Sequence, residues 1–218
     1  MEELLNQIRE GPPKGSPFSV ALSNSQVPGR SSIYRNWKFQ DALLTTLDKN
    51  ITTMHEMFER SASVYRTQNC LGYRPYNAES SSYGPYSWIS YSAAAERRKN
   101  FGAGLMKTHQ DICGSLPQGG VGLWCNNRPE WQIVDLGCMS QSLFTVSIYE
   151  TLGVQATEYI INQVALTVVC ASAGHVEKLQ SLAPRCPSLK FLVIMDDVTS
   201  EANAEPYMSD ASGRLPVF

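Results

Sequence analysis

The sequence has 218 residues, 43% hydrophobic and 17% charged, with a formal net charge of −2. This length suits one large domain or two small ones, and the apolar fraction excludes a disordered chain. The small acidic excess excludes nucleic acid or an anionic membrane surface as the principal partner.

Residues 1–40 read as an extended arm. A short helix over residues 2–8 cannot continue through Gly11-Pro12-Pro13-Lys14-Gly15, and Pro28-Gly29 adds a turn. The N-terminus is acidic and lacks a long apolar run, which argues against a secretory signal or an Arg-rich transit peptide. A helix is predicted over residues 53–64, where Thr53 and Glu56 form a capping box and Met54, Met57, Phe58 and Val64 an incomplete apolar stripe. Residues 69–88 read as strand, loop and strand, and residues 91–106 as a helix built on Ala93, Ala94 and Ala95.

The second half is more regular. Four short apolar runs, at residues 121–125, 144–148, 166–170 and 191–195, alternate with helix-like stretches at 128–141, 155–162 and 175–182. Strand alternating with helix predicts an α/β fold with a parallel sheet, covered on both faces by right-handed crossovers. Part of that cover is expected beyond Phe218. Residues 196–218 read as a loop or linker, with Leu215-Pro216-Val217-Phe218 looking like the start of another element. No stretch is long and apolar enough to span a bilayer as a helix.

The search for chemistry is mostly negative. No G-x-G-x-x-G follows the first apolar run, and no G-x-x-x-x-G-K-[ST] occurs anywhere. Gly102 and Gly104 read as close packing within a helix. His55-Glu56 begins like H-E-x-x-H, but Glu59 stands where the second histidine is needed to hold zinc. His109 and His175 are expected to be solvated or at helix ends. The six cysteines include no C-x-x-C pair, so reduced thiols in an intracellular compartment are expected. Asn127-Arg128-Pro129-Glu130-Trp131 is the best-organised segment. Asn127 is placed as an N-cap, Pro129 in the first turn and Glu130 at the positive end of the helix. Such a loop at the end of a strand reads either as a plain capped helix or as part of a ligand crevice.

Asn127-Arg128-Pro129-Glu130-Trp131, Tyr149-Glu150-Thr151-Leu152-Gly153 and Tyr159-Ile160-Ile161-Asn162 resemble the N-terminal part of long-chain fatty acyl-CoA synthetases. Cys70-Leu71-Gly72-Tyr73-Arg74-Pro75 and Asn100-Phe101-Gly102-Ala103-Gly104-Leu105 fit the same pattern. Ser31-Ser32-Ile33-Tyr34-Arg35 with Leu47-Asp48-Lys49-Asn50 is most similar to fungal peroxisomal members acting on medium- and long-chain acids. The resemblance implies an AMP-forming fatty acid–CoA ligase using ATP, Mg2+ and CoA, with a fatty acid as substrate and a peroxisomal or cytoplasmic location. With the reading of the residues it gives the organisation 1–40 extended arm, 41–195 partial AMP-binding-type α/β domain and 196–218 loop or linker, expected to be truncated. The family's phosphate loop, its adenine, ribose and metal contacts and its C-terminal lysine match no position here. No catalytic, cofactor-binding or metal residue is therefore carried over, and the chain alone is expected to be inactive. The alternative is an interaction module that binds a full-length synthetase or another partner.

Overall fold

The structure is a computed structural model, and it describes residues 10–46, 48, 50–196 and 214–218. The expected helix over residues 2–8 and the polar loop of residues 201–213 lie outside the described residues. The chain divides into two compact units, Met1–Met57 and Phe58–Phe218.

In the first unit, β1 (Ser19–Ala21) pairs antiparallel with β2 (Tyr34–Asn36), Val20 opposite Arg35. The helix α1 (Met54–Val64) opens with the expected capping box. Thr53 Oγ1 accepts from the Glu56 N–H at 3.1 Å. Glu56 Oε2 accepts from the backbone N–H groups of Thr52 at 2.7 Å and Thr53 at 3.0 Å. The Thr52 N–H and then its hydroxyl hold the Glu56 carboxyl below its ordinary range. The apolar stripe read from the sequence is not the buried face: Met54, Met57 and Val64 are exposed, and Ala62 is buried.

The second unit begins its sheet structure with β3 (Asn69–Tyr73). A small hairpin follows, β4 (Tyr76–Asn77) and β5 (Ser82–Tyr83), and then β6 (Ser87–Ser90) returns antiparallel to β3. The helix α2 runs from Tyr91 to Cys113, seven residues beyond the expected end. Ser90 caps its start by accepting from the Ala93 N–H, and Gly114 stops it with a φ of 68°. In the last turns Ile112 packs against the core, but the most deeply buried residue is a histidine, which an apolar-pattern reading does not register. His109 is buried, with ring nitrogens 2.7 Å from the Ser115 carbonyl and 3.0 Å from Thr167 Oγ1. It is a satisfied core residue, not a solvated one, and the buried polar atoms meet partners as burial demands.

The parallel sheet follows as β7 (Gly120–Trp124), α3 (Pro129–Ser140), β8 (Phe144–Ser147), α4 (Gly153–Val164), β9 (Val168–Ala171), α5 (Val176–Leu182) and β10 (Phe191–Ile194). Strand order is β10-β9-β7-β8, all parallel. Successive side chains of a strand point to opposite faces, and the two cores alternate accordingly. Val121, Leu123, Val168, Cys170 and Phe191 join one cluster with Leu105 of α2 and Val134 and Cys138 of α3. Trp124, Val169, Ala171 and Leu192 join the other with Ile161 of α4 and Leu179 of α5. Both faces thus carry a core cluster within the described residues, while β8 stays partly open, with Phe144 54% exposed. Continuous burial of β9 on both sides explains why its sequence reads as an unbroken apolar run.

Two glycines are demanded by close approach. A Cβ on Gly122 would lie 2.7 Å from Val169 Cγ2, and one on Gly137 of α3 would lie 2.6 Å from Phe101 Cδ1 of α2. Gly102 packs near Ser140 and Gln141 as expected, but nothing lies within 4 Å of a Cβ on Gly104, so close packing does not explain it. At the far side of β10, Val217 bridges Leu192 in parallel. The Leu192 N–H donates to the Pro216 carbonyl at 2.9 Å, and the Phe218 N–H to the Leu192 carbonyl at 3.0 Å. The Gln180 amide of α5 grips the Leu215 backbone through two bonds of 2.9 Å. The apolar tetrapeptide at 215–218 therefore supplies the next sheet element.

All six cysteines are free thiols. Among the described residues, no helix is long and apolar enough to cross a membrane.

Candidate crevice at the carboxyl ends of the sheet

From β7 the chain moves to β8 on one side, then crosses to β9 on the other. The carboxyl ends of β7 and β9 therefore flank the point where strand order reverses, the usual ligand crevice of an open α/β sheet. A cleft of about 890 Å³ opens there. One wall is Cys125, Asn126 and Asn127 with the first turn of α3, and Ser172 follows β9 on its floor. The other wall comes from the end of β3 and the β4–β5 hairpin.

The β7–α3 loop is held by a charged network. Arg128 donates from Nε to Glu130 Oε2 at 2.8 Å, from Nη1 to Asp196 Oδ1 at 2.5 Å and from Nη2 to the Met195 carbonyl at 3.0 Å. Glu130 Oε1 accepts from Arg97 of α2 at 2.9 Å. Asp196 Oδ2 accepts from the Ala173 N–H at 2.5 Å. One carboxylate after β10 thus ties the loop after β7 to the loop after β9. Charge-assisted bonds of this kind are the stronger class, and a forked guanidinium suits a multidentate role. Burial acts against the Arg128 charge, but its hydrogen bonds to Asp196 and Glu130 outweigh this and raise its pKa.

Burial also pushes Glu130 upward, yet the hydrogen bonds from Arg128 and Arg97 win and hold its carboxyl below the ordinary range. A carboxylate whose folded pKa lies under its unfolded value of about 4.3 stabilises the fold above that pH. The contribution disappears as pH falls through the folded pKa. Glu130→Gln is therefore expected to reduce stability at pH 7 and to flatten the loss of stability below about pH 4.3, as measured by urea denaturation across pH.

The geometry revises the sequence reading of this loop. Arg128, not Asn127, is the N-cap residue of α3; its backbone is extended and no side chain caps the helix. Pro129 and Glu130 sit in the first turn as expected. Asn127 lines the cleft instead. His175 stands at the start of α5, a helix end as expected, but it is buried rather than solvated, and its ring stacks on Trp124 at 4.3 Å and 10°. Arg97, Ser172 and Asp196 were not singled out in the sequence. The available signal was that Ser172 and Asp196 directly follow apolar runs, where carboxyl-end loops begin.

Burial pushes the Cys125 thiol up to about 11, with Arg128 opposing and Asp196 and Glu130 adding to the rise. It is a poor nucleophile at neutral pH, since the thiolate is the reactive form. Among the described residues, no three His, Cys, Asp or Glu side chains gather into a metal-binding group. The Arg128 nitrogens are all committed to protein oxygens.

Comparison with known proteins agrees with this architecture. The family model described as AMP-binding enzyme matches residues 58–214. An acyl-CoA ligase of Penicillium brevicompactum, named as peroxisomal, is 48% identical over 191 residues, 87% of this chain and 27% of that protein. Human long-chain-fatty-acid–CoA ligase 1 is 31% identical over 193 residues, 87% of this chain and 26% of its own length. The chain thus spans about a quarter of the length of these relatives. The carboxylic acid reductase didomain of Segniliparus rugosus, solved with AMP, superposes with a TM-score of 0.60 at 16% identity. That alignment covers 70% of this chain and 22% of the didomain, and it carries the fold alone. With the match over residues 58–214 and the alignments to acyl-CoA ligases, the chain belongs to the AMP-binding enzyme family.

Proposed function

We propose that the chain serves fatty acid activation, as part of an AMP-forming fatty acid–CoA ligase. In that reaction a fatty carboxylate attacks the α-phosphorus of ATP and expels pyrophosphate. The sulfur of CoA then attacks the acyl-adenylate, and AMP leaves as the thioester forms. The observation that carries the reading is 48% identity to the acyl-CoA ligase of Penicillium brevicompactum along 191 residues. That protein's name also supports a peroxisomal location over a cytoplasmic one. In this reading residues 58–218 contribute both walls of the crevice, and the contacts to ATP, Mg2+ and CoA come from parts of full-length ligases outside these 218 residues. The chain is then inactive by itself.

Two measurements test the reading. The purified chain is expected to release no pyrophosphate above blank with oleate, ATP, Mg2+ and CoA; turnover would overturn the inactivity. A chimera carrying residues 58–218 in place of the matching segment of the Penicillium brevicompactum ligase is expected to retain oleate-dependent release. A folded but inactive chimera would overturn the assignment to fatty acid activation.

The second reading is a module that associates with a full-length synthetase. What supports it is a set of exposed apolar side chains in the second unit, Phe144 at 54%, Tyr149 at 66% and Tyr159 at 66%. Co-purification of tagged chain with such a synthetase is the expected result, and a monomeric chain that captures none removes the idea.

A further inference from the structure

The hairpin β4–β5 is built unlike the rest of the second unit. Its two strands have two residues each, and a two-stranded hairpin is marginally stable by itself. Among the described residues, the hydrogen bonds of residues 76–83 all stay within residues 74–84. Arg74 is the tie at its root. It donates from Nε to the Gly84 carbonyl at 2.8 Å and from Nη2 to the Tyr83 carbonyl at 2.9 Å. Its guanidinium also lies 5.7 Å from the Tyr83 ring. Pro75 and Pro85 stand at the two ends, with the Gly84 N–H donating to the Pro75 carbonyl at 2.9 Å.

The position of the hairpin is as telling as its attachment. Tyr76, Tyr83 and Tyr86 stand on the crevice wall opposite Cys125 and Asn127. They are 57%, 60% and 65% exposed, and the Tyr76 and Tyr83 rings meet at a tilt of 58° with centroids 5.1 Å apart. Phenol rings combine a large apolar body with a polar tip, and such groups are usually half-covered by a ligand or by protein. Here they flank an open cleft on a segment without hydrogen bonds to the opposite wall.

We propose that residues 75–86 are a lid over the carboxyl-end crevice, latched open by Arg74. Closure swings the hairpin about Pro75 and Pro85 and lays Tyr76 and Tyr83 toward the β7–α3 loop. It shields the crevice from water, the common purpose of loops that close over a site. Release of the Arg74 bonds to the Tyr83 and Gly84 carbonyls frees the hairpin to move. Closure of this kind depends on the chain's own geometry, whichever ligand occupies the cleft.

Cys125 on the far wall offers a built-in reporter. Tyr83→Cys places a thiol on the hairpin, and oxidation by oxidised glutathione at about pH 9.5, which populates the thiolate that burial suppresses at neutral pH, is followed by peptide mapping. A disulfide to Cys125 is expected, and Arg74→Ala in the same background is expected to speed its formation roughly tenfold, as loss of two hydrogen bonds from a charged donor allows. Hydrogen–deuterium exchange on the unsubstituted chain is the second measurement. Amides of residues 76–83 are expected to exchange far faster than those of β3 and β6, and Arg74→Ala is expected to speed them further. The lid is refuted by a disulfide rate that ignores Arg74, by absence of the disulfide while both thiols accept iodoacetamide, or by amides at 76–83 as protected as those of β3.

Discussion

Phe191→Ala is expected to lower the free energy of unfolding by about 4 kcal/mol, the range for removing a large buried aromatic side chain. Phe191 opens β10 with no exposed surface. It sits in the core cluster under α2 and α3, edge-on to the His109 ring at 6.0 Å and to Phe218 at 5.9 Å. Truncation removes dispersion and burial and leaves a cavity that the sheet cannot collapse into, because interiors are already close-packed. It also removes the ring against which His109 is held between Ser115 and Thr167. The measurement is urea denaturation, reading the midpoint at unchanged m. Phe144→Ala provides the contrast: that ring is 54% exposed, and its loss is expected to cost under about 1 kcal/mol.

Gly137→Val is expected to cost about 3 kcal/mol or more, at the upper end of overpacking effects. A first carbon at this position already falls 2.6 Å from the Phe101 ring and 3.2 Å from the Arg98 carbonyl, which is main chain and cannot step aside. Valine adds two methyl groups to that clash and forces α3 away from α2. Gly104→Ala serves as the internal control. It meets nothing within 4 Å, so it is expected to stabilise the protein by about 1 kcal/mol through helix propensity. Opposite signs at two helical glycines in one denaturation series would separate packing from propensity. Destabilisation of equal size at both would contradict the α2–α3 contact.

The α/β order was legible in the sequence because doubly covered strands leave unbroken apolar runs, and each of the four runs became a parallel strand. Helix starts were legible where a local bond defines them, as with Thr53 and Glu56. Ends were less so: α2 outran its apolar pattern because His109 takes an inward position that hydrophobic periodicity does not register. The cap before α3 was misplaced for a related reason. Asn127 has the right chemistry for a cap, but Arg128 is the extended residue, held there by Glu130 and by Asp196, 68 positions away. The crevice itself was half legible. The segment around Arg128 stood out, while Asp196, Arg97 and the facing hairpin enter only through topology. No spacing rule in one sequence joins the end of β10 to the ends of β7 and β9.

The two margins of the parallel sheet differ in their exposure to other chains. Along β10, residues 216–218 already occupy the hydrogen-bonding positions, and Gln180 clamps the approach. Along β8, no further strand pairs with Phe144–Ser147 among the described residues. That tetrapeptide has no charge and no proline, the two devices that most often discourage foreign pairing. Crowding of the isolated chain therefore has a direction built into it: growth of intermolecular sheet starts from β8, while β10 is already paired with residues 216–218.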